Sequence, residues 1–247
     1  MPLLKMFHRK WLVTTWLVLL GTALCVRLGI WQLDRLESRR AFNAQVKSMR
    51  ALPPLDLNQE GTESIAEMEW RSMKVAGEYD FENQIALRNQ YHGDQYGYHL
   101  WTPLLFNRTA VLVDRGWIPA DGNSTPSDWR KYDEPGVVSI AGQIRLGQTK
   151  PTLGGVVDTM PENGAALEIW NNGDVERITD QLPYPALRVY IQPNPDAADI
   201  EPPIPFQPIL ELTEGPHFGY ALQWFTFASI LFIGYPFYLQ KQEPGSA

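Results

Sequence analysis

Apolar residues along this chain fall into three patterns, and each predicts a different kind of element. Residues 11–30 and 217–239 are continuous apolar stretches at opposite ends of the sequence. The first is 20 residues long, and at about 1.5 Å per helical residue it spans about 30 Å, the hydrocarbon thickness of a bilayer. Leu33, Leu36 and Arg40 continue it at helical spacing, with no Gly or Pro before Pro53-Pro54, which predicts one helix running to about residue 50. Between the two stretches the pattern shortens to runs with partial alternation at 70–79, 84–89, 99–106, 110–115, 136–146 and 187–192. These predict antiparallel strands. The expected fold is a membrane protein in which an N-terminal and a C-terminal transmembrane helix flank one mainly antiparallel β domain, a small barrel or sandwich.

The boundaries that follow are a tail at 1–10, a membrane helix at 11–30 extending to about 50, a β-rich domain at 51–214, a second membrane helix at 215–239 and a tail at 240–247. A polar break at Asn107-Arg108-Thr109 predicts a hairpin between the third and fourth strands. Residues 121–135 and 150–173, rich in Gly, Pro, Asn and Asp, read as loops. The stretch 192–208 holds six prolines and reads as a stiff return to the membrane.

Charge narrows the function classes. From residue 29 to 216 there are 27 acidic and 16 basic side chains, which disfavours nucleic-acid binding, where a clustered basic surface is needed. Lys5, Arg9 and Lys10 before the first stretch resemble a signal-peptide leader, but no small-x-small cleavage site follows, so a retained anchor is expected. Four basic residues flank the anchors on each side, so the positive-inside rule leaves orientation open. Arg27, in the last membrane turn, is placed to snorkel toward headgroups. The lone Cys25 excludes an intramolecular disulfide, and without a second cysteine a dithiol, a thiolate copper site and covalent c-type haem attachment lack ligands. No Walker loop, Gly-x-Ser-x-Gly or His-Glu-x-x-His is present, so no enzyme is expected.

Four histidines remain, His8, His92, His99 and His217, too dispersed for an obvious zinc site. His92 and His99 read as surface or loop residues. His217 follows Gly215-Pro216 at the start of the second apolar stretch. Positions 217, 220, 221, 224, 225 and 228 share a helical face, bringing together His217, Tyr220, Ala221, Trp224, Phe225 and Ala228. A neutral imidazole binds iron axially, and aromatics beside alanines suit a flat macrocycle. From the pattern alone, interfacial anchoring explains the same residues more simply. In the first helix Trp31 and Arg35 lie four apart, close enough for the guanidinium to rest on the indole.

The motifs resemble the surfeit locus protein 1 family. They are Gly29-x-Trp31-Gln32-x-x-Arg35-Leu36, Gly97-Tyr98-His99-x-x-Thr102-Pro103-Leu104, Asp114-Arg115-Gly116-Trp117-Ile118-Pro119 and Pro216-His217-Phe218-Gly219-Tyr220-Ala221-x-Gln223-Trp224-Phe225. Arg39 stands where the family more often has lysine. The resemblance implies an assembly factor of haem-copper cytochrome c oxidase, with cytochrome c oxidase subunit I, haem A synthase and membrane lipids as partners and haem a as a transient cofactor. It also implies that both termini lie inside and the β domain outside. His217 maps onto the family's second-helix histidine and becomes the expected iron ligand, with Tyr220 and Trp224 beside it. Trp31, Gln32 and Arg35 map onto the first-helix motif, where Arg35 is placed to meet a haem propionate or an acidic partner surface. Arg115 and Trp117 are expected to play a strand-edge structural role. Only ten residues precede Trp11, which favours the plasma membrane of a bacterium, with the domain on its periplasmic or extracellular side. A scaffold that binds no cofactor is the alternative.

Overall fold

The computed structural model describes residues 8–149, 151, 155–162, 164–196 and 200–242. They form two compact units, one within Met1–Gln45 and Glu211–Ala247, the other within Val46–Leu210.

The first unit holds α4 (His217–Gln242) and all but the last residues of α1 (Leu12–Ala51), two helices each long and apolar enough to cross a membrane. Their contact follows a 3.5-residue repeat. On α1 the covered or half-covered positions include Thr15, Val18, Thr22, Cys25, Gly29, Gln32, Leu36, Arg39 and Asn43, which run in alternating steps of three and four. On α4 they include His217, Ala221, Trp224, Ala228, Leu231 and Tyr235, in the same alternation, with Phe225 beside Trp224. That spacing keeps one stripe of each helix facing the other, as in a coiled coil. The stripe is made of small and polar residues because lipid offers no hydrophobic drive for helices to associate. Close backbone approach and interhelical hydrogen bonds supply it instead. At Gly29 an added Cβ would stand 2.6 Å from the Phe225 ring, so the missing side chain lets that ring lie on the α1 backbone. Near the other end Thr15 Oγ1 and the Tyr235 hydroxyl share a buried hydrogen bond of 2.8 Å, worth about 1 kcal/mol in such a setting.

The second unit is the β domain. Its described strands are β1 (Leu55–Asp56), β2 (Ser72–Tyr79), β3 (Ile85–His92), β4 (Gln95–Phe106), β5 (Thr109–Pro119), β6 (Val137–Arg145), β7 (Ile169–Trp170) and β8 (Ala186–Pro193), joined in one sheet in the order β1-β2-β6-β8-β5-β4-β3-β7. Pairing of Glu78 with Leu105 and Tyr79 with Leu104 also joins β2 to β4. This closes β2, β6, β8, β5 and β4 into a five-stranded barrel, which decides between barrel and sandwich. Strand β4 forks: its first half pairs with β3 and its last residues with β2. Alternate residues of the ring fill the inside, where Met73, Val75, Leu104, Val111, Val113, Ile144, Val189 and Ile191 form one core. Two short helices, α2 (Pro126–Trp129) and α3 (Val175–Asp180), cover outer parts of the sheet. Trp129 closes on Ala86, Leu100 and Ile118, and α3 with Trp170 closes on Leu87, Trp101 and Leu112.

Several expectations are corrected. Residues 121–135 are not all loop: a capping box between Thr125 and Asp128, with Pro126 at the first turn, starts α2 and delivers the fully buried Trp129. Within 150–173, Ile169–Trp170 pairs in parallel with Ala86 and Leu87, a strand too short to show alternation. Lys150, and residues 152–154 and 163 of that stretch, lie outside the described residues. The stiff return is tied to the barrel through Ile204, whose backbone exchanges hydrogen bonds with Trp117. Arg115 and Trp117 lie on β5, between β8 and β4 in the middle of the sheet, so a strand-edge role does not hold for them.

Candidate functional site

Within the helix pair, the end of the seam carrying His217 is the most polar part. Arg39 donates from Nε to the Thr213 carbonyl at 3.1 Å and from Nη2 to the Glu211 carbonyl at 2.8 Å. Asn43 Nδ2 donates to the same Thr213 carbonyl at 3.1 Å, and Arg40 grips both Glu214 carboxylate oxygens at 2.8 Å. These bonds pin residues 211–214 to α1 and so fix where α4 begins. Gly215 then turns the chain with φ +69°, and Pro216 precedes the first helical residue.

His217 Nδ1 lies 2.9 Å from Gln32 Oε1. An amide oxygen only accepts, so Nδ1 carries the proton and Nε2 keeps its lone pair. The second ring nitrogen has no hydrogen-bond partner among the described residues. Gly215 borders that edge, and a Cβ there would sit 3.6 Å from Nε2, covering part of the approach. A histidine whose Nδ1 is held by an oxygen and whose Nε2 is open has the arrangement of an axial metal ligand with its orienting partner. Gln32 spends its side-chain oxygen on the imidazole.

The other expected site residues are placed less centrally. Trp224 is half-buried in the seam and meets Phe227 edge to face at 6.0 Å. Tyr220 and Trp31 are 48% and 46% exposed, outside the seam. Arg35 is exposed and makes no ion pair or ring contact among the described residues, so the anticipated stack on Trp31 is absent and its guanidinium is unspent. Ala221 and Ala228 leave no slot between the helices: they are 1% and 5% exposed because α1 covers them. A flat group bound by His217 has to lie on the open side of the pair, not inside it.

Sequence reasoning missed a second histidine. His99, expected at the surface, is buried on β4, and its Nδ1 lies 3.0 and 3.1 Å from the two Asp114 oxygens. The cause is a β-bulge. His99 pairs with Trp117 and Leu100 with Gly116, but Trp101 pairs with Asp114, so Arg115 is the extra residue. It shifts the alternation of β5 by one and brings Asp114 onto the face of His99. Arg115 turns away, buried, donating to Gln84 Oε1 at 3.1 Å, Glu134 Oε1 at 2.7 Å and the Tyr132 carbonyl. The signal was in the sequence as Gly116 after two charged residues in an apolar strand. At φ +118°, an added Cβ at Gly116 would meet the Ile204 carbonyl at 2.2 Å.

Two candidate membrane-spanning helices at the chain ends, a closed five-stranded barrel between them and a histidine opening the second helix define a two-span membrane protein class with a single β domain. The family model described as the SURF1 family matches residues 19–229, and the chain belongs to that family. It is 24% identical to a SURF1-like protein of Rickettsia bellii over 226 residues, covering 90% of this chain and 88% of that one. It is 26% identical to an uncharacterized SURF1-like protein of Mycobacterium bovis over 243 residues, covering 95% and 85%. It is also 25% identical to Surfeit locus protein 1 of Mus musculus over 177 residues, covering 65% and 55%. The family expected from the motifs is the family found.

Proposed function

We propose that this protein assists assembly of haem-copper cytochrome c oxidase by holding haem a at His217 and passing it to subunit I. The observation that carries the reading is the His217–Gln32 hydrogen bond, which leaves Nε2 open beside Gly215. Nε2 is the iron ligand, Gln32 fixes the ring, and the Arg39, Asn43 and Arg40 bonds hold the start of α4. Tyr220, Trp224 and Trp31 supply aromatic surface, and the unspent Arg35 supplies a cation for a propionate. Haem a itself supplies the redox-active iron that the finished oxidase uses. One imidazole and an open approach suit handover better than permanent storage, because a second protein ligand would slow release. The chain performs no bond chemistry in this reading. It sits in a bacterial plasma membrane with the barrel domain on the outer side, in reach of subunit I and haem A synthase.

The test is the haem a content of subunit I in cells that lack this chain. Wild-type protein is expected to restore it and His217→Ala is not; full restoration by His217→Ala would remove the ligand role. A second reading, a cofactor-free scaffold for an oxidase intermediate, is favoured by the filled seam around Ala221 and Ala228. It predicts colourless protein that co-purifies with subunit I and retains that ability as His217→Ala.

A further inference from the structure

A cleft of about 380 Å³ opens on the outer face of the barrel, and no part of the haem reading uses it. Its walls are the outward residues of strands whose neighbours fill the core: Asp114 beside Val113, Arg145 beside Ile144, and Tyr190 between Val189 and Ile191. Residues 146–148 and 171–173 frame it. Those loops are zipped together by Gln148 N donating to the Gly173 carbonyl at 2.8 Å. They are braced by Asp158, whose carboxylate accepts from the backbone and side chains of Asn171 and Asn172 at 2.7–3.0 Å. The cleft is therefore a built feature with fixed walls.

The polar atoms left unspent inside it have a definite character. His99 uses Nδ1 on Asp114, so its Nε2 is an acceptor with no partner among the described residues. Tyr190 stacks on Trp101 with ring centroids 4.3 Å apart, and its hydroxyl makes no hydrogen bond among the described residues. Burial, opposed by Arg145 and reinforced by Asp114 and Glu69, pushes that phenol up to about 12, so it stays a donor. Arg145 spends Nε on Glu69 at 3.3 Å and Nη1 on Gln192 at 3.1 Å, with Trp70 under its guanidinium at 3.7 Å. Its Nη2 is unspent. Trp101 Nε1 is a buried donor without a partner among the described residues. Arg145 Nη2 and the Tyr190 hydroxyl are thus adjacent donors on neighbouring strands, and a group that accepts from both satisfies them. One guanidinium edge next to a phenol matches a planar carboxylate, which takes two hydrogen bonds in one plane. His99 Nε2, an unpartnered acceptor next to the engaged Asp114 carboxylate, is placed to take a hydroxyl proton.

We propose that this cleft is a binding site for a small hydroxycarboxylate, its carboxylate on Arg145 and Tyr190 and its hydroxyl on His99. The site lies wholly within the β domain and does not depend on His217 or on haem.

The test is calorimetric titration of the detergent-purified full chain with malate, succinate, inorganic phosphate and glycerol. Malate is expected to bind saturably, succinate more weakly, and phosphate and glycerol not at all. Tyr190→Phe keeps the ring stack and loses the donor, so malate should weaken about tenfold. No saturable binding of either acid at millimolar concentration, tighter binding of phosphate, or unchanged malate affinity in Tyr190→Phe would each overturn the proposal.

Discussion

The helix pair and the barrel domain each hold one imidazole by Nδ1 and leave Nε2 uncommitted, yet they use different partners. In the helix pair the partner of His217 is the neutral amide of Gln32. In the barrel the partner of His99 is the carboxylate of Asp114, which also accepts from the Gly116 amide at 3.2 Å. In the barrel a backbone donor helps satisfy the buried carboxylate, whereas at the helix pair the carboxylate, that of Glu214, is spent on Arg40. The packing differs in the same way. The seam relies on Thr15, Gly29, Ala221 and Ala228, while the barrel relies on a closed ring of branched side chains.

The largest expected effect breaks the barrel. At Gly77 an added Cβ would stand 2.3 Å from the Leu105 carbonyl, where β2 meets β4. Gly77→Val should cost about 3 kcal/mol or more, because backbone cannot yield as a side chain can. Urea unfolding followed by tryptophan fluorescence measures it, and wild-type stability would contradict ring closure. Next in size is Asp114→Ala, which strands a buried imidazole N–H and should cost about 2 kcal/mol, against about 1 kcal/mol for Gln32→Ala at a half-buried pair. Equal costs would erase the contrast between the two partners.

A smaller effect is expected in the seam. Gly29→Val pushes on the Phe225 ring and should weaken helix association by about 1 kcal/mol. It would be read as a lower unfolding midpoint of the detergent-purified full chain, followed by helical circular dichroism. The smallest concerns acid. Burial acts to raise the Asp158 carboxyl, but hydrogen bonds from Asn171 and Asn172 outweigh it and hold the group below the usual carboxylate range. A group lowered in the folded state stabilises above its unfolded value, and that contribution fades as pH falls below about 4 through the folded value. Asp158→Asn should therefore flatten the acid side of the melting-temperature profile; an unchanged profile would show that Asp158 does not contribute.

The elements with regular spacing were legible in the sequence. The 106–110 hairpin is there, and Asn107 and Arg108 adopt φ of 42° and 66°, as a two-residue loop between twisted strands requires. The bulge at Arg115 was not legible, because one inserted residue reverses the face of everything beyond it while leaving the strand's composition unchanged. That reversal hid the pairing of Asp114 with His99, and His99 itself lies in a stretch of β4 that is buried on both faces. The seam escaped notice for a different reason: its repeat is written in Thr, Cys, Gly, Gln and Asn, which a hydrophobic pattern does not register. His217 and Gln32 were each picked out by motif. Their direct bond joins residues 185 apart and needed the fold to appear.

The central claim is that His217, oriented by Gln32, is the ligand that holds haem a. It is tested most directly by the pyridine haemochrome spectrum of the full chain purified from membranes that also make haem A. Wild-type protein should carry haem A, Gln32→Leu should carry less with an altered axial-ligand spectrum, and His217→Ala should carry none. Haem A at wild-type occupancy in His217→Ala would contradict the account.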